Sequence, residues 1–214
     1  LGDITKAQTD SAHPIQRAKG LNSDDFVLAG MGYDGKPAYL SIAPQFAGMI
    51  SANAVQKNLT KDPIVASSVE YFLGEYNKET ETAPLINAGV LVVQTEKRGF
   101  TIALATNTYQ KRESIWNSSD KKTYLIQQRQ IVDYVYEGYR EGMQIGVGTE
   151  DFNEIVAASV GLNILDKFLR EGVIIDRRIA KVYREGNAII TVPAIVPLDA
   201  TDFIGFELQV NISA

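Results

Sequence analysis

Between Thr149-Glu150-Asp151 and Gly172, the apolar residues Ile155, Ala158, Leu162, Leu165 and Leu169 recur at spacings of 3, 4, 3 and 4. That rhythm predicts a helix over 151–171 with one apolar stripe, leaving Glu154, Asn163, Lys167 and Arg170 on other faces. Gly172 stands where a helix-ending glycine belongs, and the acidic pair Glu150-Asp151 offsets the free amides of the first turn. Three strand-length runs follow at 173–183, 188–196 and 203–212, separated by Glu185-Gly186-Asn187 and Pro197-Leu198-Asp199. In the last run Ile204, Phe206, Leu208, Val210 and Ile212 alternate with Gly205, Glu207, Gln209 and Asn211, the pattern of a strand with one buried face. Pro193 lacks a ladder donor, so its strand is expected at an edge or bulged. Helices followed by a block of consecutive strands define an α+β class.

The earlier part of the chain adds further elements. Residues 4–19 read as partly helical and broken by Pro14, with a turn at Gly20-Leu21-Asn22-Ser23 and a short buried strand at Phe26-Val27-Leu28-Ala29-Gly30. Ala43, Phe46, Ala47, Ile50 and Ala54 fall at helical spacing, with Pro44 admissible in a first turn. From Lys57 to Ala83 the chain is polar and loop-rich, which places a domain boundary near Pro84 and gives domains 1–84 and 85–214. Two apolar runs, 89–93 and 100–105, flank Glu96-Lys97-Arg98-Gly99 and predict a β-hairpin. A second long helix is expected from a cap at Ser118, Ser119 or Asp120. It carries Leu125, Val132, Val135, Tyr136, Tyr139 and Met143 on one side and stops at Gly142.

Composition removes several kinds of chemistry. Without cysteine there are no disulfides, thiolate metal sites, iron–sulfur clusters or cysteine nucleophiles. The formal charge of −5 and the lack of a basic block weigh against a partner that is a nucleic acid. No apolar run approaches the ~18 residues of a membrane span, so no membrane is expected as a partner. Leu1-Gly2-Asp3-Ile4 has neither a signal-peptide layout nor an initiator methionine, which leads us to expect a processed product or a fragment.

The motifs yield no active site. His13 is the single histidine, in a polar segment; a triad would need that one imidazole at a nucleophile, and metal sites usually recruit two or more His or Cys ligands. Asp24-Asp25, Glu79 with Glu81, and Glu150-Asp151 are carboxylate pairs, and the last is read as helix capping. Gly30-Met31-Gly32-Tyr33-Asp34-Gly35 follows a strand but lacks the Gly-Lys-Ser/Thr ending of a phosphate loop. Asn58-Leu59-Thr60, Asn117-Ser118-Ser119 and Asn211-Ile212-Ser213 match the glycosylation tripeptide by chance. Tyr124, Tyr134, Tyr136 and Tyr139 spread around a helix, which suits packing better than base stacking. Catalytic, cofactor-binding and metal residues are therefore expected to be none, and the chain is not expected to be an enzyme.

In their order, these elements resemble the tail sheath proteins of contractile phage tails and related contractile injection machines. The entry "LNSDDFVLAG" and the helix "APQFAGMISANAVQKNLTKDPI" are similar to the end of that family's subtilisin-like α/β domain. The hairpin "LINAGVLVVQTEKRGFTIALATNTY", the helices "QRQIVDYVYEGYRE" and "NEIVAASVGLNILDKFLREGVI", and the strands "NAIITVPAIVPLDATDFIGFELQV" are similar to its C-terminal domain. The resemblance implies 1–84 as the closing portion of the subtilisin-like domain. It implies 85–214 as an α+β sheath C-terminal domain with a mainly antiparallel sheet and two long helices.

The resemblance further implies a structural subunit that stacks as hexameric rings around a tail tube, contracts, and drives the tube through the host envelope. Its partners would be further copies of itself, the tail tube protein and the baseplate, with no cofactor. Its location would be the virion, after assembly in the host cytoplasm. Family members exchange terminal strands between subunits, a role that would fall to Phe203, Phe206, Leu208, Val210 and Ile212; an ordinary internal strand is the equal alternative. Lys167 and Arg170 would face the tube. Competing readings are an unusual hydrolase on a subtilisin-like scaffold and a receptor- or carbohydrate-binding virion module, the latter using Trp116.

Overall fold

The computed structural model describes residues 14–29, 32–33, 43–60, 62–65, 69–70, 83–96, 99–109, 125–149, 151–198, 204–205 and 208–211. His13, Trp116, residues 118–120, Phe203, Phe206 and Ile212 lie outside them, so the expectations placed there do too. The described residues divide into two compact units, one holding residues up to Tyr109 with Leu125–Arg129, the other beginning at Gln130. The boundary expected near Pro84 falls inside the first unit, because one apolar core draws Ile15, Phe46, Leu59 and Ile64 together with Leu85, Val90, Val93 and Ile102.

The first helix, α1 (Pro14–Leu21), begins at the proline that was expected to break it. Proline has no amide hydrogen to lose in a first turn and its fixed φ suits helix entry. Ile15 and Ala18 bury one side of α1, and the helix ends at Asn22, whose φ of 37° turns the chain while its N–H donates to the Ala18 carbonyl at 2.9 Å. Strand β1 (Leu28–Ala29) is shorter than expected. The next strand, β2 (Gly32–Tyr33), occupies the glycine-rich stretch, and α2 (Ala43–Ala52) contributes Phe46 to the core.

The segment expected to be loop contains β3 (Pro63–Ile64) and β4 (Val69–Glu70). After α3 (Ala83–Asn87) come β5 (Val90–Leu91), β6 (Val93–Glu96) and β7 (Gly99–Ile102). The pair β1–β5 is parallel, so residues 90–91 do not form the first arm of the expected hairpin; the hairpin is β6–β7, with that arm at 93–96 instead of 89–93, and β3 joins its β7 edge. Strands β2 and β4 pair separately.

A polar knot closes this unit. Thr106, Asn107 and Thr108 are fully buried, and each finds a partner rather than water. The Thr108 hydroxyl donates to the Ser23 carbonyl at 2.9 Å and accepts from the Ser23 N–H at 3.1 Å. Gly89, at φ 80°, passes so close that a Cβ there would sit 2.7 Å from the Asn107 carbonyl oxygen. Arg129 reaches Asp24 at 3.2 Å and Asp25 at 3.1 Å, giving that carboxylate pair a structural role.

The long helix α4 (Ile126–Met143) starts later than a cap at 118–120 would require, because Leu125 forms a β-bridge with Thr106 and cannot be helical. It also runs past Gly142 into a tight turn, Gln144–Gly146. Helix α5 (Glu154–Arg170), strands β8 (Ile174–Glu185) and β9 (Ala188–Pro197), and the short β10 (Ile204–Gly205) and β11 (Leu208–Asn211) complete the chain. Two long helices and small, mostly antiparallel sheets make this an α+β architecture.

Candidate functional site

In the second unit, α5 decides the arrangement of the sheet. Its N-cap is Asn153, whose side-chain oxygen accepts from the Ile155 and Val156 N–H groups, both at 3.0 Å. The cap therefore falls two residues beyond Asp151, correcting the assignment to Glu150-Asp151. Gly172, at φ 70°, ends the helix as expected.

The buried stripe is Ala157, Gly161, Leu165 and Phe168, whereas Ile155 is 82% exposed. Only Leu165 is shared with the predicted stripe. The face is rotated because small residues allow close approach: a Cβ on Gly161 would strike the Tyr139 hydroxyl, and one on Gly138 or Gly142 would meet Phe168 or Ile164 at 2.6 Å. Hydrophobic periodicity gives glycine no weight, so this face was missed. The signal was still present in the spacing of Gly138, Gly142 and Gly146 by 4.

Tyr139 is fully buried and donates its hydroxyl hydrogen to the Thr191 hydroxyl at 3.1 Å, which fixes α4 against β9. Burial pushes this phenol above its ordinary value, and the hydrogen bond with Thr191 opposes the shift. Two ion pairs tie α5 to β8, Asp166 with Arg177, and Glu154 with Arg184 at 3.0 Å. A hydrogen bond from its own backbone, then Arg184, holds the Glu154 carboxyl below the usual range.

Arg177 and Arg184 are 7 residues apart, so a regular strand would send them to opposite faces. Of two register shifts, between Ile174 and Asp176 and between Ile179 and Lys181, the second lies between the two arginines and changes the alternation, so both guanidinium groups meet α5. The second shift lies where Ile179 pairs with Pro193. Pro193 thus marks a bulge, as one of its two expectations held, yet β9 is the central strand rather than an edge.

On its other side β9 receives the C-terminal strands of its own chain. Leu208 pairs with Thr191, Val210 with Ile189, and Ile204 with Ile195, all antiparallel. The two pieces leave an interval on β9 that contains Pro193. Of the five residues assigned to strand linkage, Leu208 and Val210 have a described backbone, and it is paired within the chain.

Lys167 and Arg170 line a groove of about 690 Å³ between α4 and α5, with Gly138, Glu141, Ile145 and Ile164 among its other walls. Lys167 lies 3.9 Å from Glu171. Among the described residues no group of His, Cys, Asp or Glu could hold a metal, and no helix is long and apolar enough to cross a membrane.

These features define a helix-backed antiparallel sheet joined in sequence to a small unit of helices and short, mostly antiparallel strands, with side chains committed to packing and pairing. The same fold occurs in two sheath tail proteins of known crystal structure. One, from Desulfitobacterium hafniense, is 14% identical with a TM-score of 0.65 over 98% of this chain and 54% of its own. The other, from Listeria innocua, is 13% identical with a TM-score of 0.64 over 88% of this chain and 46% of its own. The chain thus spans about half the length of these proteins. No protein-family model matches the sequence, and neither does any curated protein sequence.

Proposed function

We propose that this chain is a structural part of a phage tail sheath, a virion component that assembles with copies of itself. The observation that carries the reading is the fold likeness to two sheath tail proteins along nearly the whole chain. The motif order in the sequence supports it independently, since it rests on residues and not on coordinates. In this reading the chain joins the closing portion of a subtilisin-like domain to a sheath C-terminal domain, and the protein has no enzymatic role.

The finer reading is a contractile sheath of stacked hexameric rings around a tail tube, attached to a baseplate. Lys167 and Arg170 face the tube, and the terminal strand 203–212 links subunits. In that reading β10 and β11, which pair with β9 within this chain, are the strands traded between copies. Contraction then needs no nucleotide, since two packings of the same subunits can store the work. Electron microscopy of the longest natural form, expressed with its tube protein, tests the proposal. Striated sheaths of two lengths are expected, and particles with no tubular order would refute it.

A further inference from the structure

We propose that α4 makes the two units fold as one: the helix is started by the first unit and completed in the second, so loosening its first turn loosens the second unit as well. This coupling holds whether or not the chain is part of a sheath.

Residues 126–129 of α4 belong to the first unit and the rest of the helix to the second. By its own sequence α4 starts weakly. Leu125, which precedes it, has no side-chain acceptor for the free amides, and the first turn Ile126-Gln127-Gln128-Arg129 holds no acidic residue. Arg129 also places a cation near the positive end of the helix dipole. Starting a helix is its costly step, because several residues are fixed before hydrogen bonds accumulate.

The first unit supplies what is lacking. The Ala105 carbonyl accepts from the Ile126 N–H at 3.1 Å, and Leu125 is held by its bridge to Thr106. Ile126 joins the apolar core of Leu85 and Val93, and the Gln127 side-chain amide donates to the Gln56 carbonyl at 2.6 Å. Asp24 and Asp25 bring two carboxylates to Arg129, which turns the net charge beside the first turn negative. The Asp24 side chain is only 5% exposed, so its pair with Arg129 is shielded from water.

Beyond Arg129 the buried stripe of α4 continues as Ile131, Val135, Tyr139 and Met143, all fully buried. Tyr139 bonds Thr191 of β9, and Gly142 lies against Ile164 of α5. The surface that organises the second unit therefore exists only when a helix begun in the first has formed.

Native-state hydrogen exchange on the full-length chain tests the coupling, because each amide reports the opening that exposes it. The variant Asp24→Asn/Asp25→Asn keeps side-chain shape and removes both charges from Arg129. Exchange of the α5 and β9 amides is expected to quicken roughly tenfold or more, the measure of one charge-assisted hydrogen bond lost, in step with the amides of the first unit's core. Arg140→Gln, which breaks the exposed pair with Glu137 on the same helix, is the control and should leave both units at parental rates. Faster exchange confined to residues up to Arg129, or no change in either unit, overturns the proposal, as does an equal rise in the control. Where the double variant fails to fold, the parental chain decides. In rising urea its slowest amides in the two units are expected to converge on one opening free energy and one urea slope, and separate values for the two units, in either order, overturn the coupling.

Discussion

Leu165→Ala and Ile155→Ala together test which face of α5 is buried. Both residues belong to the stripe that apolar spacing predicts, but Leu165 is 0% exposed and Ile155 is 82% exposed. Truncating Leu165 removes three carbons, worth about 2.4 kcal/mol at roughly 0.8 kcal/mol for each. Leu165 lies on the same buried face as Gly161, against which Tyr139 is held by its bond to Thr191, so a cavity cost adds to the loss. The expected total is about 3–4 kcal/mol, within the usual range for buried leucines. Ile155→Ala should change stability by less than about 0.5 kcal/mol, because little surface is withdrawn from water at that position. Urea titration followed by circular dichroism at 222 nm, a wavelength at which helices dominate, gives both midpoints. A large fall for Leu165→Ala with a near-parental Ile155→Ala is expected. Equal losses would restore the sequence-derived stripe and refute the rotated face.

Other substitutions probe the remaining claims. Gly161→Ala improves intrinsic helix propensity, yet it should destabilise by about 1–3 kcal/mol because the new methyl meets the Tyr139 hydroxyl; a stabilised variant in thermal melts would show that the contact relaxes freely. Tyr139→Phe should cost about 1–3 kcal/mol at neutral pH through the unpaired Thr191 hydroxyl. Because the folded phenol ionises above its ordinary value, the unfolded chain loses that proton first. Stability should therefore fall as pH rises past about 10, and that alkaline loss should shrink in Tyr139→Phe. Reversing charge at Lys167 and Arg170 in the full-length parent should leave folding unchanged and weaken sheath assembly on tubes, and normal assembly by electron microscopy would remove them from that interface. Val210→Pro deletes a backbone donor on a strand paired with Ile189. Loss of sheaths from a folded subunit is expected for a linking strand, and a destabilised monomer for an internal one.

The elements with strong local signals were legible before any coordinates. The terminal strands, a hairpin turning near residues 97–98 (its first arm expected at 89–93 and found at 93–96), the helix over 154–170 and its Gly172 stop follow from periods of two and 3.6 and from turn residues that act within a few positions. The short strands at 63–64 and 69–70 left no trace, because two-residue strands are made by pairing with distant segments and not by their own pattern. The helix starting at Ile126 was misplaced for the same reason, its beginning being set by the bridge between Leu125 and Thr106.

By itself the sequence determined the class of structure and excluded much chemistry: helices before strands, no cysteine, one histidine, and a motif order resembling sheath proteins. Tertiary structure alone decided which faces are buried and which edges are open. Gly161 became a core residue because Tyr139 needed its space, Arg177 and Arg184 came to share a face because β8 bulges, and β9 became central because strands on both sides paired with it. Each of these depends on atoms far apart in the chain competing for one volume, and hydrophobic spacing along a single segment contains no record of that competition.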